Sequence, residues 1–76
     1  MNIKKVLVTG GCGYIGSLLI RKLIDLNCYV RCLDLMIYGD NSLKGLSNNK
    51  SFELIEGDIR NKKLVEKCLE DIDVVI

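Results

Sequence analysis

Apolar runs and amphipathic stretches alternate along the whole of this chain. Four apolar runs have the length of strands: Lys4–Thr9, Tyr29–Leu33, Phe52–Glu56, and a last one that opens at Asp73 and reaches Ile76. Between them, apolar positions recur at helical spacing over two stretches, Tyr14–Leu26 and Asn61–Asp71. The order strand, helix, strand, loop, strand, helix, strand predicts an α/β fold.

The same order predicts how the strands lie in the sheet. Right-handed crossovers and double winding give a Rossmann-like, doubly wound parallel sheet with the partial strand order 3-2-1-4. The third strand carries Glu53 and Glu56, which suits an edge strand. At the other edge, Val74–Ile76 would form an exposed apolar strand, which soluble proteins avoid. We therefore expect residues 1–76 to be the N-terminal part of a domain in a longer protein.

Both helices have one apolar side. At about 100° per residue, the apolar arc of the first helix holds Ile15, Leu19, Ile20, Leu23, Ile24 and Leu26, and the other side holds Ser17, Arg21, Lys22 and Asp25. Gly16 lies in the middle of the apolar arc, where a missing side chain allows close contact with a strand. Asn27 suits the C-cap of this helix, and either Asn61 or Asp58 suits the N-cap of the second.

A glycine-rich turn separates the first strand from the first helix. Glycines at positions 10, 13 and 16 fit GxxGxxG, and those at 11, 13 and 16 fit GxGxxG. Such a turn lets the backbone approach a pyrophosphate at a helix N-terminus. A glycine turn that binds nothing is the alternative. Asp34 favours the binding interpretation, because it ends the second strand about 20 residues on, where dinucleotide-binding folds place a ribose-binding acid.

Composition and charge narrow the class of protein. The chain is 49% apolar and 28% charged and has no proline, which indicates a globular domain. Its net charge is +1 and no basic face stands out, so we expect no nucleic acid or membrane partner. The N-terminus has no signal-peptide pattern and no apolar stretch is long enough to span a membrane, so we expect a cytoplasmic protein.

Four cysteines, at positions 12, 28, 32 and 68, form no CxxC pair, and histidine is absent. We therefore expect no metal site. Cys28, Cys32 and Cys68 have apolar neighbours and are interpreted as reduced core residues. Cys12 lies in the glycine turn, where it is either a small loop residue or, as a hypothesis, a redox sensor.

Four segments resemble one family. Thr9–Gly16 is similar to the TGGxGxIG signature of the extended short-chain dehydrogenase/reductase family, in its NAD-dependent epimerase/dehydratase group. Leu33-Asp34 with Tyr38-Gly39, Gly57-Asp58-Ile59-Arg60, and Asp73-Val74-Val75-Ile76 resemble three further segments of the nucleotide-sugar enzymes of that group, in the expected order. Two positions depart from the family pattern: Leu35 stands where many sugar epimerases have Asn, and Asn61 replaces the usual Asp.

The resemblance implies that NAD is the cofactor and that eight residues bind it: Gly10, Gly13, Tyr14, Ile15, Gly16, Asp34, Asp58 and Ile59. By the same resemblance, Asp34 accepts hydrogen bonds from the adenosine ribose and its charge disfavours the 2′-phosphate of NADP. Asp58 would meet the adenine amino group and Ile59 would pack on the ring. The alternative for Asp58 is a turn residue that caps the second helix.

The family's chemistry uses a Tyr-x-x-x-Lys pair to oxidise a sugar hydroxyl to a transient keto intermediate. Here the residues four positions after Tyr14, Tyr29 and Tyr38 are Leu18, Leu33 and Ser42, so this stretch contains no catalytic residue of that kind. The resemblance implies a longer enzyme that acts on a nucleotide sugar and that dimerises through helices outside this chain. A non-catalytic NAD(P)-binding sensor or scaffold is the alternative.

Overall fold

The computed structural model describes residues 4–10, 13–35, 45–46 and 48–76. The elements are β1 (Lys5–Thr9), α1 (Tyr14–Asp25), β2 (Tyr29–Asp34), β3 (Phe52–Glu56), α2 (Lys62–Cys68) and β4 (Val74–Val75). The predicted order of elements is confirmed. Helix α2 is shorter than the predicted Asn61–Asp71, because the backbone turns after the C-cap Leu69 and Asp71 has a left-handed φ of 59°.

The four strands form one parallel sheet in the order β3-β2-β1-β4, as predicted. Strand β3 is an edge strand, also as predicted. At the other edge, Val74 and Val75 are exposed by 43% and 54%. The structure thus has the exposed apolar edge that the sequence predicts.

The helices cover opposite faces of the sheet, which makes the fold doubly wound. On the α1 face, the buried cluster consists of Val6, Val8, Ile20, Val30, Cys32 and Leu46. On the α2 face, it consists of Leu7, Leu33 and Cys68. Because neighbouring residues of a strand point to opposite faces, β1 has a continuous buried run, Val6–Val8. The fold is the Rossmann arrangement expected from the sequence.

The predicted buried side of α1 is partly wrong. Ser17, expected on the polar side, is buried, whereas Ile15 and Leu26 of the expected apolar arc are 79% and 63% exposed. The cause is the rotation of the helix, since Ile15 and Leu26 lie about 160–180° from Ser17 at the α-helical spacing. Ser17 tolerates burial because its hydroxyl donates to the Tyr14 carbonyl at 2.8 Å. Gly16 lies on the flank of the buried stripe and is half-buried.

Helix α1 ends in a Schellman motif one residue beyond its C-cap, Leu26. Asn27 has a φ of 66° and its N–H donates to the Ile24 carbonyl at 2.9 Å. The next N–H, of Cys28, donates to the Leu23 carbonyl at 3.0 Å. The C-cap is thus Leu26 and not the predicted Asn27, which ends the helix from the next position through its left-handed backbone.

The N-cap of α2 is Asn61 and not Asp58. The Asn61 side-chain oxygen accepts a hydrogen bond from the Leu64 N–H at 3.1 Å. Asn61→Ala should lower the free energy of unfolding by about 1 kcal/mol, because one helix N–H loses its partner. Urea denaturation of the native polypeptide measures this loss. Asn61→Asp keeps a capping oxygen and should retain most of the stability; an equal loss in both variants would show that capping is not the cause.

Arg31 links β2, β3 and the C-terminal end of α2. Its side chain is 17% exposed, and its Nε donates to Glu53 Oε1 at 2.8 Å. Nη1 donates to the carbonyls of Cys68 and Glu70, at 2.7 and 3.0 Å. Glu53, predicted only as an edge-strand acid, is thus also one half of a cross-strand ion pair.

None of the cysteines among the described residues forms a disulfide. Cys32 and Cys68 are buried and Cys28 is half-buried. Burial raises the pKa of the Cys68 thiol, and the nearby charge of Arg31 opposes that rise. Cys12 lies outside the described residues.

Candidate functional site

The ends of the strands are joined at the carboxyl edge of the sheet. Three backbone hydrogen bonds make these links: the Gly10 N–H to the Leu33 carbonyl at 2.9 Å, the Gly57 N–H to the Asp34 carbonyl at 2.9 Å, and the Thr9 N–H to the Ile76 carbonyl at 3.0 Å. They bring the glycine turn and the segments after β2 and β3 to one edge. Ligands of open α/β sheets bind in the crevice outside this edge.

Gly10 and Gly13 have different roles in the turn. Gly10 has a φ of 69°, which strains any residue that carries a Cβ. Gly13 is the N-cap of α1 and has an ordinary extended backbone, with φ −74° and ψ 171°. Among the described residues, no heavy atom lies within 4 Å of an ideal Cβ built on Gly13. The fold therefore needs a glycine at position 10, whereas the glycine at position 13 leaves open space at the helix N-terminus.

The N-terminus of α1 has the features of an anion site. Its N-cap, Gly13, supplies no side-chain hydrogen bond, and the first turn contains no acidic residue. Tyr14 and Ile15 are 78% and 79% exposed. In contrast, the N-cap of α2 has its own capping side chain in Asn61. The first turn of α1 thus places no negative side chain at the positive end of the helix dipole, and the space beside Gly13 is open among the described residues.

Asp34 is the last residue of β2 and is half-buried beside this turn. Its register partner in β3 is Glu56, which is exposed. Two carboxylates thus end neighbouring strands, and no Lys or Arg directly follows Asp34 in the sequence. The end of β2 therefore suits hydroxyl donors and disfavours a phosphate group placed beside Asp34. Leu35, one of the two departures from the family pattern, is 47% exposed.

Asp58 lies in the turn after β3, where Arg60 holds its carboxylate. The Arg60 backbone N–H donates to Oδ1 at 2.8 Å, and Nη2 donates to Oδ2 at 2.7 Å. The alternative in which Asp58 caps α2 is wrong, because Asn61 caps that helix. Gly57 lets this turn pack on the helix, since a Cβ there would collide with the Leu64 side chain. Ile59, between the two charged residues, is 61% exposed.

The hydrogen bonds from Arg60 hold the pKa of Asp58 below its ordinary value. In an NMR titration, we expect the Asp58 carboxyl midpoint to be low, and to rise toward the ordinary value in Arg60→Gln. A lowered folded pKa means that the pair's contribution to stability is present above the unfolded pKa and is lost as pH falls through the folded pKa. An unchanged midpoint in Arg60→Gln would contradict the assignment of Arg60 as the cause.

All eight predicted NAD-binding residues lie within the described ranges, whereas some other residues of the predicted motifs do not. The structure brings Gly10, the N-terminus of α1, Asp34 and the Asp58 turn to one edge of the sheet. Gly11, Cys12 and Tyr38-Gly39 lie outside the described residues, so the choice between the two glycine patterns stays open there. Within the described ranges, the structure contains no cluster of three or more metal-ligating side chains. No helix in the same ranges has the length and apolarity needed to cross a membrane.

A family model described as the 3-beta hydroxysteroid dehydrogenase/isomerase family matches residues 7–76. The chain belongs to this family. Over 72 residues it is 42% identical to a putative UDP-glucose 4-epimerase of Methanocaldococcus jannaschii, covering 93% of the chain and 22% of that protein. Together these matches confirm the resemblance to the NAD-dependent epimerase/dehydratases of nucleotide-sugar type.

Two solved structures have the same fold as this chain. The dTDP-glucose 4,6-dehydratase of Bacillus anthracis, crystallised with NAD, superposes with a TM-score of 0.88 at 26% identity, over 95% of this chain and 25% of that one. A UDP-N-acetylglucosamine 4-epimerase of Methanobrevibacter ruminantium M1, in complex with UDP-N-acetylmuramic acid, gives 0.81 at 36% identity, over 99% and 24%. The chain spans about a quarter of the length of these relatives.

Proposed function

We propose that this chain is the N-terminal part of the NAD-binding domain of a nucleotide-sugar epimerase or dehydratase whose substrate domain lies outside residues 1–76. One observation carries the proposal. The uncapped N-terminus of α1, open at Gly13, lies at the same sheet edge as the acidic end of β2. This pairing suits a molecule with a pyrophosphate and a ribose diol in one piece.

The residues of this chain would bind and orient the cofactor. Backbone N–H groups of the turn from Gly10 to Gly16 would hold the pyrophosphate, with Tyr14 and Ile15 at the helix start. Asp34 would accept hydrogen bonds from the ribose hydroxyls. Asp58 would accept from the adenine amino group, and the exposed side chain of Ile59 would pack on the ring. NAD, when bound, supplies a hydride acceptor.

Asp34 should determine the preference for NAD over NADP. A carboxylate gains charged hydrogen bonds from two ribose hydroxyls and repels a 2′-phosphate, as does the neighbouring Glu56. In Asp34→Asn, we expect NAD affinity to fall about 10- to 100-fold. The ratio of NAD affinity to NADP affinity should also decrease. Isothermal titration calorimetry with both cofactors measures the change.

Glu56→Gln is the matched control, because it removes an equal charge from the register partner of Asp34. It should leave NAD affinity nearly unchanged. If wild-type protein bound NADP as tightly as NAD, the role proposed for Asp34 would be wrong.

The full reaction needs residues that this stretch does not contain. We propose that the native protein oxidises a sugar hydroxyl to a transient keto intermediate, acts in the cytoplasm, and forms a homodimer through regions outside this chain. The intact mass and C-terminal sequence of the native polypeptide test this. A chain several times heavier than 8.5 kDa that carries Tyr-x-x-x-Lys supports an enzyme. A long chain without that pair supports the alternative, a non-catalytic NAD(P)-binding sensor or scaffold.

A further inference from the structure

Arg60 directs three N–H groups at a single carboxylate, that of Asp58. The backbone N–H lies 2.8 Å from Oδ1, and Nη2 lies 2.7 Å from Oδ2. Nε lies between the two oxygens, 3.1 Å from Oδ1 and 3.0 Å from Oδ2. The Arg60 side chain is 87% exposed and that of Asp58 is 29% exposed. Since an exposed ion pair adds little to stability, its main effect is on the orientation of the carboxylate.

The contact from Arg60 that is easiest to replace is the shared one, in which a single Nε–H is divided between Oδ1 and Oδ2 of Asp58. A carboxylate has about four lone-pair sites, and the contacts from Arg60 place two on each oxygen, so an incoming amino group takes over the Nε–H share on one oxygen. The guanidinium is planar and rigid, so a contact to both oxygens fixes the plane of the carboxylate as well as its charge. An amino group that approaches from the sheet edge thus meets an acceptor whose orientation is already set.

We propose that Arg60 is a positioning residue for adenine recognition, acting through Asp58. It holds the Asp58 carboxylate in one orientation, in which the 6-amino group of the cofactor's adenine replaces the shared Nε–H on one oxygen. This inference rests on the proposed function, since it requires that the sheet edge binds NAD. It adds a specificity residue that does not itself touch the cofactor.

The test compares NAD with its hypoxanthine analogue, in which a carbonyl oxygen replaces the adenine 6-amino group. Binding of both is measured by calorimetry on the native polypeptide. Wild type should prefer NAD, and Arg60→Gln should reduce that preference about three- to tenfold. The reduction should come from weaker NAD binding, with affinity for the analogue unchanged. Lys62→Gln removes an equal, exposed charge two residues later and should leave the preference intact.

Each other outcome overturns the inference in a distinct way. If Arg60→Gln leaves the preference unchanged, Asp58 does not need Arg60. If Arg60→Gln weakens both dinucleotides equally, Arg60 acts on the phosphates or on the fold. A wild-type protein that binds both equally shows that Asp58 does not read the amino group, although NAD binding itself stands. A folded wild-type protein that binds neither refutes the proposed function, and this inference with it.

Discussion

Gly13→Val should abolish NAD binding and leave the fold almost as stable as before. A valine Cβ at this position would enter the open space at the N-terminus of α1, where the pyrophosphate is proposed to lie. It would hold the phosphates away from the backbone N–H groups. Loss of two charge-assisted hydrogen bonds of about 1.5 kcal/mol or more each predicts at least a 100-fold weaker affinity by calorimetry.

The expected stability of this variant follows from the backbone of Gly13. Its φ of −74° and ψ of 171° are ordinary for valine, and no heavy atom of the described residues lies within 4 Å of the new Cβ. The expected loss is therefore at most about 1 kcal/mol, from replacing a favourable N-cap residue. Urea denaturation of the native polypeptide without cofactor measures it.

Gly10→Ala is the contrasting control in the same turn. Its φ of 69° places a Cβ in the left-handed region, so alanine should lower the free energy of unfolding by about 1–2 kcal/mol. Gly13 would thus be required for NAD binding, and Gly10 for the backbone conformation of the turn. NAD affinity unchanged in Gly13→Val would place the pyrophosphate elsewhere and refute the proposed site.

The topology could be predicted from the sequence because it depends on local patterns. Apolar runs and helical spacing fix the order of the elements, and the handedness of crossovers then fixes the strand order 3-2-1-4. The position of the glycine turn, between a buried strand and a helix, also allowed it to be predicted as a candidate binding turn. The acids of β3 marked it as an edge strand without any tertiary information.

The rotation of α1 could not be predicted from the pattern of apolar residues alone. The pattern of apolar residues predicts a buried arc centred away from Ser17. It does not show that the Ser17 hydroxyl, once it donates to the Tyr14 carbonyl, can be buried at little cost. The partners of Asp58 were hidden for a similar reason. Two residues near the start of α2 had capping side chains, and only the geometry shows that Asn61 caps the helix while Asp58 binds Arg60.

The contacts of Arg31 could not be predicted either, because they join segments that are far apart in the sequence. A single charged residue within the apolar run of β2 carries no signal for its partners. Cross-strand register places it beside Glu53, and the crossover brings the C-terminal end of α2 over it. The sequence shows the charge, whereas its hydrogen-bond partners depend on the assembled fold.

Arg31→Met should therefore destabilise the fold strongly. Methionine replaces the apolar stem but removes the N–H groups that reach Glu53 and two carbonyls at the end of α2. The side chain is only 17% exposed, so water replaces these bonds poorly. We expect a loss of about 2–4 kcal/mol in the free energy of unfolding, measured by urea denaturation.

Glu53→Gln tests the ion pair of Arg31 with Glu53 separately from the hydrogen bonds of Arg31 to the helix carbonyls. It keeps an oxygen for the Arg31 Nε and leaves the carbonyls of Cys68 and Glu70 bonded, so it should cost less than about 1 kcal/mol. A large loss in Arg31→Met beside a small one in Glu53→Gln would show that holding the end of α2 is the main role of Arg31. Equal losses would instead assign the stability to the ion pair, because both variants remove it while only Arg31→Met frees the helix carbonyls.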